Sequence, residues 1–212
     1  MTMTMTLTMT SIEAAVDCYR RGGVLLYPTS TLWGLGGDGR QTQVLDRIQR
    51  LKGRHEPQPL LVLVPSIDSV HQLATCIPKP ARMLMAHSWP SDLTLLLPAR
   101  QDIPSPLIGK EGLVGVRLPT HPTACALIEE TQGWLVSTSA NRSGEPPPSV
   151  LSDVPETIRQ LVDCVVEAHP NPSGKPSTIV AVATDTDVRL IRAGSIDKAT
   201  LETIVGQPIS SS

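Results

Sequence analysis

Phenylalanine is absent from this 212-residue chain, tyrosine occurs twice and tryptophan three times. Aliphatic side chains must therefore fill the core, and a platform for stacking nucleic-acid bases is short of rings. Excess charge of either sign is lacking too. Lys and Arg number 18 against 20 Asp and Glu, a formal net charge of −2. No global basic field argues for nucleic acid or a membrane surface, although a local basic pocket remains compatible with that balance. No apolar run approaches the ~18 residues of a membrane span. The cysteines, Cys18, Cys76, Cys125 and Cys164, lie far apart without a CxxC, and the histidines make no HExxH or HxxxH pair. Buried free thiols in a reducing compartment are the expected state, with no metal ligation by the protein. GxxxxGK[ST] is missing, which excludes a P-loop at the level of motif.

What is present is length enough for a real core and 20 dispersed prolines, which mark abrupt element ends. The opening MTMTMTLTMT has no Lys, Arg or continuous apolar block and does not read as a signal peptide. Residues 1–10 are expected to be a frayed tail, with an edge strand as the alternative that a period of two allows. One domain over 11–206 and a short tail at 207–212 complete the division, since no linker is long enough to separate domains.

The stretch GGVLLYPTSTLWGLGGDG, residues 22–39, is where the chain gathers its polar groups. Val24 to Tyr27 reads as a strand stopped by Pro28. The hydroxyls of Thr29, Ser30 and Thr31 follow, then a loop carrying Gly34, Gly36, Gly37 and Gly39. Ligands bind at such strand ends in open α/β sheets. The glycines formally satisfy GxGxxG, but PTSTLW intervenes after the strand and no helix opens on them, which argues against a dinucleotide site.

Further strands are expected at 60–64, 93–97, 114–118, 134–137, 164–167, 178–182 and 188–192. Helices are expected from a Ser11 cap to the Gly22-Gly23 pair, over 42–52, 66–75, 80–87, 123–131 and 154–161, and after a Ser195 cap. About seven strands alternating with about six helices predict an α/β fold, a largely covered mixed sheet with helices on its faces.

Polar clusters fall just past strand ends or in short loops: Thr29-Ser30-Thr31, Lys52-Gly53-Arg54, Arg117, Ser137 to Asn141, Ser177-Thr178 and Arg192. Gathered together, they would make a pocket with about four cations and a ring of hydroxyls, suited to an anion with several phosphates. No nucleophile–base pair stands out, so catalysis would rest on positioning and charge stabilisation, as phosphoryl and nucleotidyl transfer can.

These clusters resemble the YrdC-type threonylcarbamoyl-AMP synthases. The match runs from about Ser11 to Ile196, on YPTSTLWGLG (27–36), LKGR (51–54) with PLLVLV (59–64), VGVRLPTHP (114–122), STSANRSG (137–144), KPSTIV (175–180) and LIRAG (190–194). The resemblance implies a twisted sheet around a concave, basic cavity. It implies synthesis of threonylcarbamoyl-AMP from L-threonine, bicarbonate and ATP, with Mg²⁺ and release of pyrophosphate. A partner transferase would then modify tRNA, in the cytoplasm. By resemblance Lys52 and Arg54 are catalytic and bind ATP with Gln58, Ser139, Asn141, Ser149 and Arg192. Thr31, Arg117, Ser139 and Ser177 hold threonine. The chain is expected to lack the C-terminal domain of longer members. It departs from the family pattern at Ser30, usually Glu or Asp, at Trp33, at Ser91-Asp92, usually Gly-Pro, and at Leu63. Ser30 puts metal or substrate positioning in question. The synthase itself could bind tRNA weakly, and two rivals stay open: a paralogue without synthase activity, and an RNA-binding protein of the same fold.

Overall fold

The computed structural model describes residues 9–53, 58–166 and 170–211. Its strands are β1 (Met9–Thr10), β2 (Leu25–Pro28), β3 (Trp33–Gly36), β4 (Leu61–Leu63), β5 (Leu93–Pro98), β6 (Leu113–Arg117), β7 (Leu135–Ser139), β8 (Cys164–Val166), β9 (Thr178–Val182), β10 (Val188–Arg192) and β11 (Ser210–Ser211). Its helices are α1 (Ile12–Arg20), α2 (Thr42–Leu51), α3 (Lys79–Ser88), α4 (Pro122–Thr131), α5 (Glu156–Arg159) and α6 (Lys198–Val205). The strands form one mixed sheet in the order β1-β8-β2-β3-β7-β4-β6-β5-β9-β10-β11.

The strand count exceeds the expected seven in part because the glycine stretch is not a loop. β2 turns back at once into β3, antiparallel, with Tyr27 opposite Gly34 and Pro28 opposite Trp33. β3 then pairs with β7, Gly34 opposite Ser139. Glycine is required because the layers close on it. A β-carbon on Gly36 would lie 2.0 Å from the Val136 carbonyl oxygen and 2.7 Å from the Tyr27 ring. Given that partner, β7 runs on through Ser139 instead of stopping at Ser137.

The expected tails are shorter than drawn. Met9 and Thr10 pair in parallel with β8, and Ser210 and Ser211 with β10, so unpaired edges of the sheet take them up. Residues 1–8 and 212 lie outside the described residues. Ser11 caps α1 as expected, its Oγ accepting from the Ala14 amide. Asp197, not Ser195, caps α6, its carboxylate accepting from the Thr200 amide at 2.8 Å. The chain before it cannot coil sooner, because Thr178 Oγ1 bonds both the amide and the carbonyl of Ile196. The expected helix at 154–161 shrinks to the single turn of α5 behind Pro155, and that at 66–75 to a 3₁₀ turn over Asp68–Gln72.

Side chains alternate across the sheet, and this decides where a site can form. Leu25, Tyr27, Leu63 and Leu135 pack with α1 and α4, while Leu26, Val62 and Val136 enter the main core. That half of the sheet is covered on both faces. In β5, β6 and β9, Leu93, Leu95, Val114, Val116 and Val180 enter the main core. Their alternates, Thr94, Leu96, Gly115, Arg117, Ile179 and Ala181, line a cavity. The sheet is thus covered on both faces in one half and left open on one face in the other, in keeping with the largely covered sheet and concave cavity expected.

Candidate active site

The cavity holds about 600 Å³ and is floored by those alternate residues. Among the described residues, Lys52, Lys110, Arg117, Arg189 and Arg192 line it against one acid, Glu111. A chain of net charge −2 therefore carries a positive pocket, because the sheet's geometry collects cations from four separate segments.

The β2–β3 turn supplies one wall. Thr29 closes it twice: its amide donates to the Leu32 carbonyl at 3.0 Å and its hydroxyl to the same oxygen at 2.7 Å. The closure points Ser30 and Thr31 at Arg117, the last residue of β6. The Arg117 guanidinium is buried, 3% exposed, so it needs partners for its donors. Nε donates to the Ser91 carbonyl at 3.0 Å, Nη1 to Thr31 Oγ1 at 3.3 Å, and Nη2 to Ser30 Oγ at 2.6 Å. Nη2 also meets the Asp92 carboxylate in an ion pair. Desolvation lowers the Arg117 pKa, and the Asp92 charge opposes that shift.

Asp92 is a residue the sequence reading passed over as a departure. Ser30 Oγ donates to its Oδ1 at 2.6 Å. The acid in question at position 30 is thus present in space, carried on the segment before β5. The two departures, Ser30 and Asp92, are one hydrogen-bonded pair.

The opposite wall is the α2 end and the segment after β7. Lys52 caps α2 with its stem buried, 2% exposed. Nζ donates to the Ser139 carbonyl at 2.5 Å, to Asn141 Oδ1 at 3.1 Å and toward Ser139 Oγ at 3.4 Å. Asn141 is oriented in turn, its Nδ2 donating to the carbonyls of Arg142 and Glu145. At the rim, Arg192 from β10 donates to the Ser177 carbonyl and hydroxyl at 2.9 Å each, and Ser177 Oγ lies 3.1 Å from Thr94 Oγ1. Desolvation lowers the Arg192 pKa as well.

Of the residues singled out from sequence, Thr31, Lys52, Gln58, Arg117, Ser139, Asn141, Ser177 and Arg192 line this cavity. Ser149 does not. It sits beside Gly174, whose β-carbon position lies 3.4 Å from its own. Arg54 falls in 54–57, outside the described residues. Lys110, Arg189 and Thr94 were missed, because a lone charge in a loop and a Thr inside an apolar strand carry no signal of their own. Among the described residues no group of three or more His, Cys, Asp or Glu side chains could hold a metal ion. Asp92 is committed to Arg117 and Ser30, so the donor set does not fit a protein-built Mg²⁺ site.

Known proteins resemble this chain in sequence and fold. The family model for Sua5, YciO and YrdC, described as telomere recombination, matches residues 17–194. The chain is 35% identical over 197 residues to the threonylcarbamoyl-AMP synthase of Bacillus subtilis, covering 92% of this chain and 56% of that protein. It is 36% identical over 186 residues to the enzyme of that name from Acinetobacter baumannii, covering 85% and 98%. Pyrococcus abyssi Sua5, solved in complex with L-threonine, superposes with a TM-score of 0.88 at 31% identity, over 95% of this chain and 58% of that one. The Escherichia coli YciO structure, at 23% identity and a TM-score of 0.80, shares the fold over 91% of this chain and 98% of its own. The chain spans little more than half the length of the Bacillus and Pyrococcus relatives.

Proposed function

The chain belongs to the Sua5/YciO/YrdC family, and from that premise we propose that it is a nucleotidyltransferase that makes threonylcarbamoyl-AMP from L-threonine, bicarbonate and ATP. One observation carries the reading. A single cavity sets a buried guanidinium between threonine hydroxyls on one wall and a lysine held by Ser139 and Asn141 on the other, with Arg192 at the rim.

In this reading Arg117 and Thr31 receive the amino acid, Arg117 through its carboxylate and Thr31 through its hydroxyl, with Ser139 and Ser177 completing that end. The amine takes up bicarbonate and loses water to give a carbamate. A carbamate oxygen attacks the α-phosphorus of ATP, and the bond to the β-phosphate oxygen breaks as pyrophosphate leaves. Lys52, Arg54, Gln58, Ser139, Asn141 and Arg192 form the ATP side, where fixed cations meet the charge that develops on the phosphates. Ser149 stays a candidate only through a shift of its loop toward the nucleotide. Mg²⁺ would come as the counter-ion of ATP. The product would pass to a transferase that modifies tRNA, a step placed in the cytoplasm. Among the described residues no helix is long and apolar enough to cross a membrane.

The test is pyrophosphate release with each substrate omitted in turn. Full dependence on all three is expected, and release without the amino acid or without bicarbonate defeats the reading. Substrate choice tests the threonine end. A site built to bond a hydroxyl rejects valine by leaving buried groups unpaired, whereas serine lacks only a methyl, worth about 1–3 kcal/mol. The expected order is threonine, serine, valine. Valine matching serine would remove Thr31 from the amino-acid site.

A further inference from the structure

Cys18 and Cys164 are remote in sequence and adjacent in the fold. Cys18 lies on α1, and Cys164 opens β8, in register with Leu25 of β2. Both line a second cavity, of about 450 Å³, together with Thr10, Arg21, Arg47 and Asp163. Each is a free thiol, 6% exposed, and each thiol is the foremost influence on the other's titration. Gly23 makes room for the Cys18 sulfur. A β-carbon there would lie 2.3 Å from Cys18 Sγ and 3.4 Å from Asp163 Cβ, so any side chain would expel the sulfur from its seat.

We propose that Cys18 and Cys164 form a peroxide-sensitive dithiol, a modification site separate from the active-site cavity, which closes to a disulfide that ties α1 to β8.

The pair divides the roles. Cys164 is the attacking thiolate, its pKa lowered first by the neighbouring Cys18 thiol and further by Thr10 and the Arg21 charge, which line the same cavity, against desolvation and Asp163. Cys18 is raised, first by the neighbouring Cys164 and then by burial, so it keeps its proton. The oxidant is a hydroperoxide. The Cys164 sulfur attacks one peroxide oxygen, the O–O bond breaks, and the hydroxide that leaves takes the Cys18 proton. Cys18 then attacks the sulfenic sulfur, the S–S bond forms and the S–O bond breaks. Two thiols and one hydrogen peroxide give one disulfide and two waters, the sulfurs losing the two electrons that the peroxide gains.

The whole protein is reduced, desalted, exposed to hydrogen peroxide and denatured in alkylating agent for thiol counting and peptide mapping. The four thiols are expected to fall to two, with Cys18 and Cys164 peptides linked, and dithiothreitol is expected to restore all four. Cys76→Ser with Cys125→Ser leaves the linkage intact. In Cys18→Ser, dimedone is expected to label Cys164, and in Cys164→Ser it leaves Cys18 unlabelled. Four thiols surviving peroxide, or a linkage through Cys76 or Cys125, overturns the pair. Dimedone on Cys18 in place of Cys164 overturns the division of roles.

Discussion

Lys52 shows how much one side chain can depend on its surroundings. Its ammonium is held by Ser139 and Asn141, and its stem is as buried as the core leucines. Lys52→Met keeps the stem and removes the charge. Pyrophosphate release is expected to fall at least tenfold, the loss of a charge-assisted contact worth about 1.5–3 kcal/mol. The variant also loses stability, because the Asn141 oxygen loses its donor. ATP binding is therefore measured by calorimetry well below both melting temperatures, and unchanged affinity there removes Lys52 from the nucleotide site. Asp92 makes the complementary case. Removing one partner of a buried pair leaves a desolvated charge, a large penalty that the partial exposure of Asp92 reduces. Asp92→Ala is expected to raise KM for L-threonine several-fold, because Arg117 loses its anchor, while KM for ATP stays within about twofold. Equal shifts in both constants would mean that Asp92 supports the fold alone.

At the level of elements, α4 is started by a histidine. His121 Nδ1 accepts from the Thr123 amide at 3.2 Å, and Nε2 donates to the Pro170 carbonyl at 2.8 Å. The bond at Nδ1 needs the neutral ring, because a protonated nitrogen cannot accept, whereas the bond from Nε2 survives protonation. Burial lowers the His121 pKa, and the Pro170 carbonyl opposes this without cancelling it. A folded-state value below the unfolded one means that the unfolded chain binds the proton first as pH falls. The stabilisation is whole above the ordinary histidine value near 6.5 and is lost as pH falls through the lowered folded value. His121→Asn keeps a capping acceptor and does not titrate. The melting-temperature advantage of the wild type over this variant should shrink between about pH 7.5 and about pH 5, followed by scanning calorimetry. A gap that stays constant would show that the ring takes up no extra proton on unfolding. In β3 the constraint is steric. Gly36→Ala would drive a methyl into the Val136 carbonyl, and the hairpin would have to open to accept it.

For the whole molecule, charge and aromatics bear on partners. Tyr19, Tyr27, Trp33 and Trp89 are buried, so they form no exposed platform for bases. With net charge −2, tRNA binding is expected to be weak and to disappear by physiological salt, measured by filter binding across a salt titration. Submicromolar binding that survives salt would favour the RNA-binding alternative. Zinc is not expected to hold the fold, since the described residues offer no ligand cluster. A zinc-selective chelator and excess reductant should each leave the melting temperature of the purified protein unchanged. A fall of several degrees with either would reveal a metal or a disulfide in the resting state.

The sequence by itself determined the α/β class, most of the strands and helices, and seven of the residues that line the cavity, with Gln58 an eighth that the family resemblance alone named. Those signals are local. Apolar period, proline stops and caps act over a few residues, and a hydroxyl cluster after a strand marks that strand's end. Tertiary structure alone decided the rest. The glycine stretch became a strand because β7 approaches it too closely for a side chain. Asp92 replaced the missing acid at Ser30 because β5 and β6 are neighbours in the sheet. Cys18 met Cys164 because α1 packs against the strand that Cys164 opens, a contact no spacing announces. Each of these depends on which strands lie side by side, and the pairing of distant segments is fixed by the burial of the whole core and not by any stretch of it.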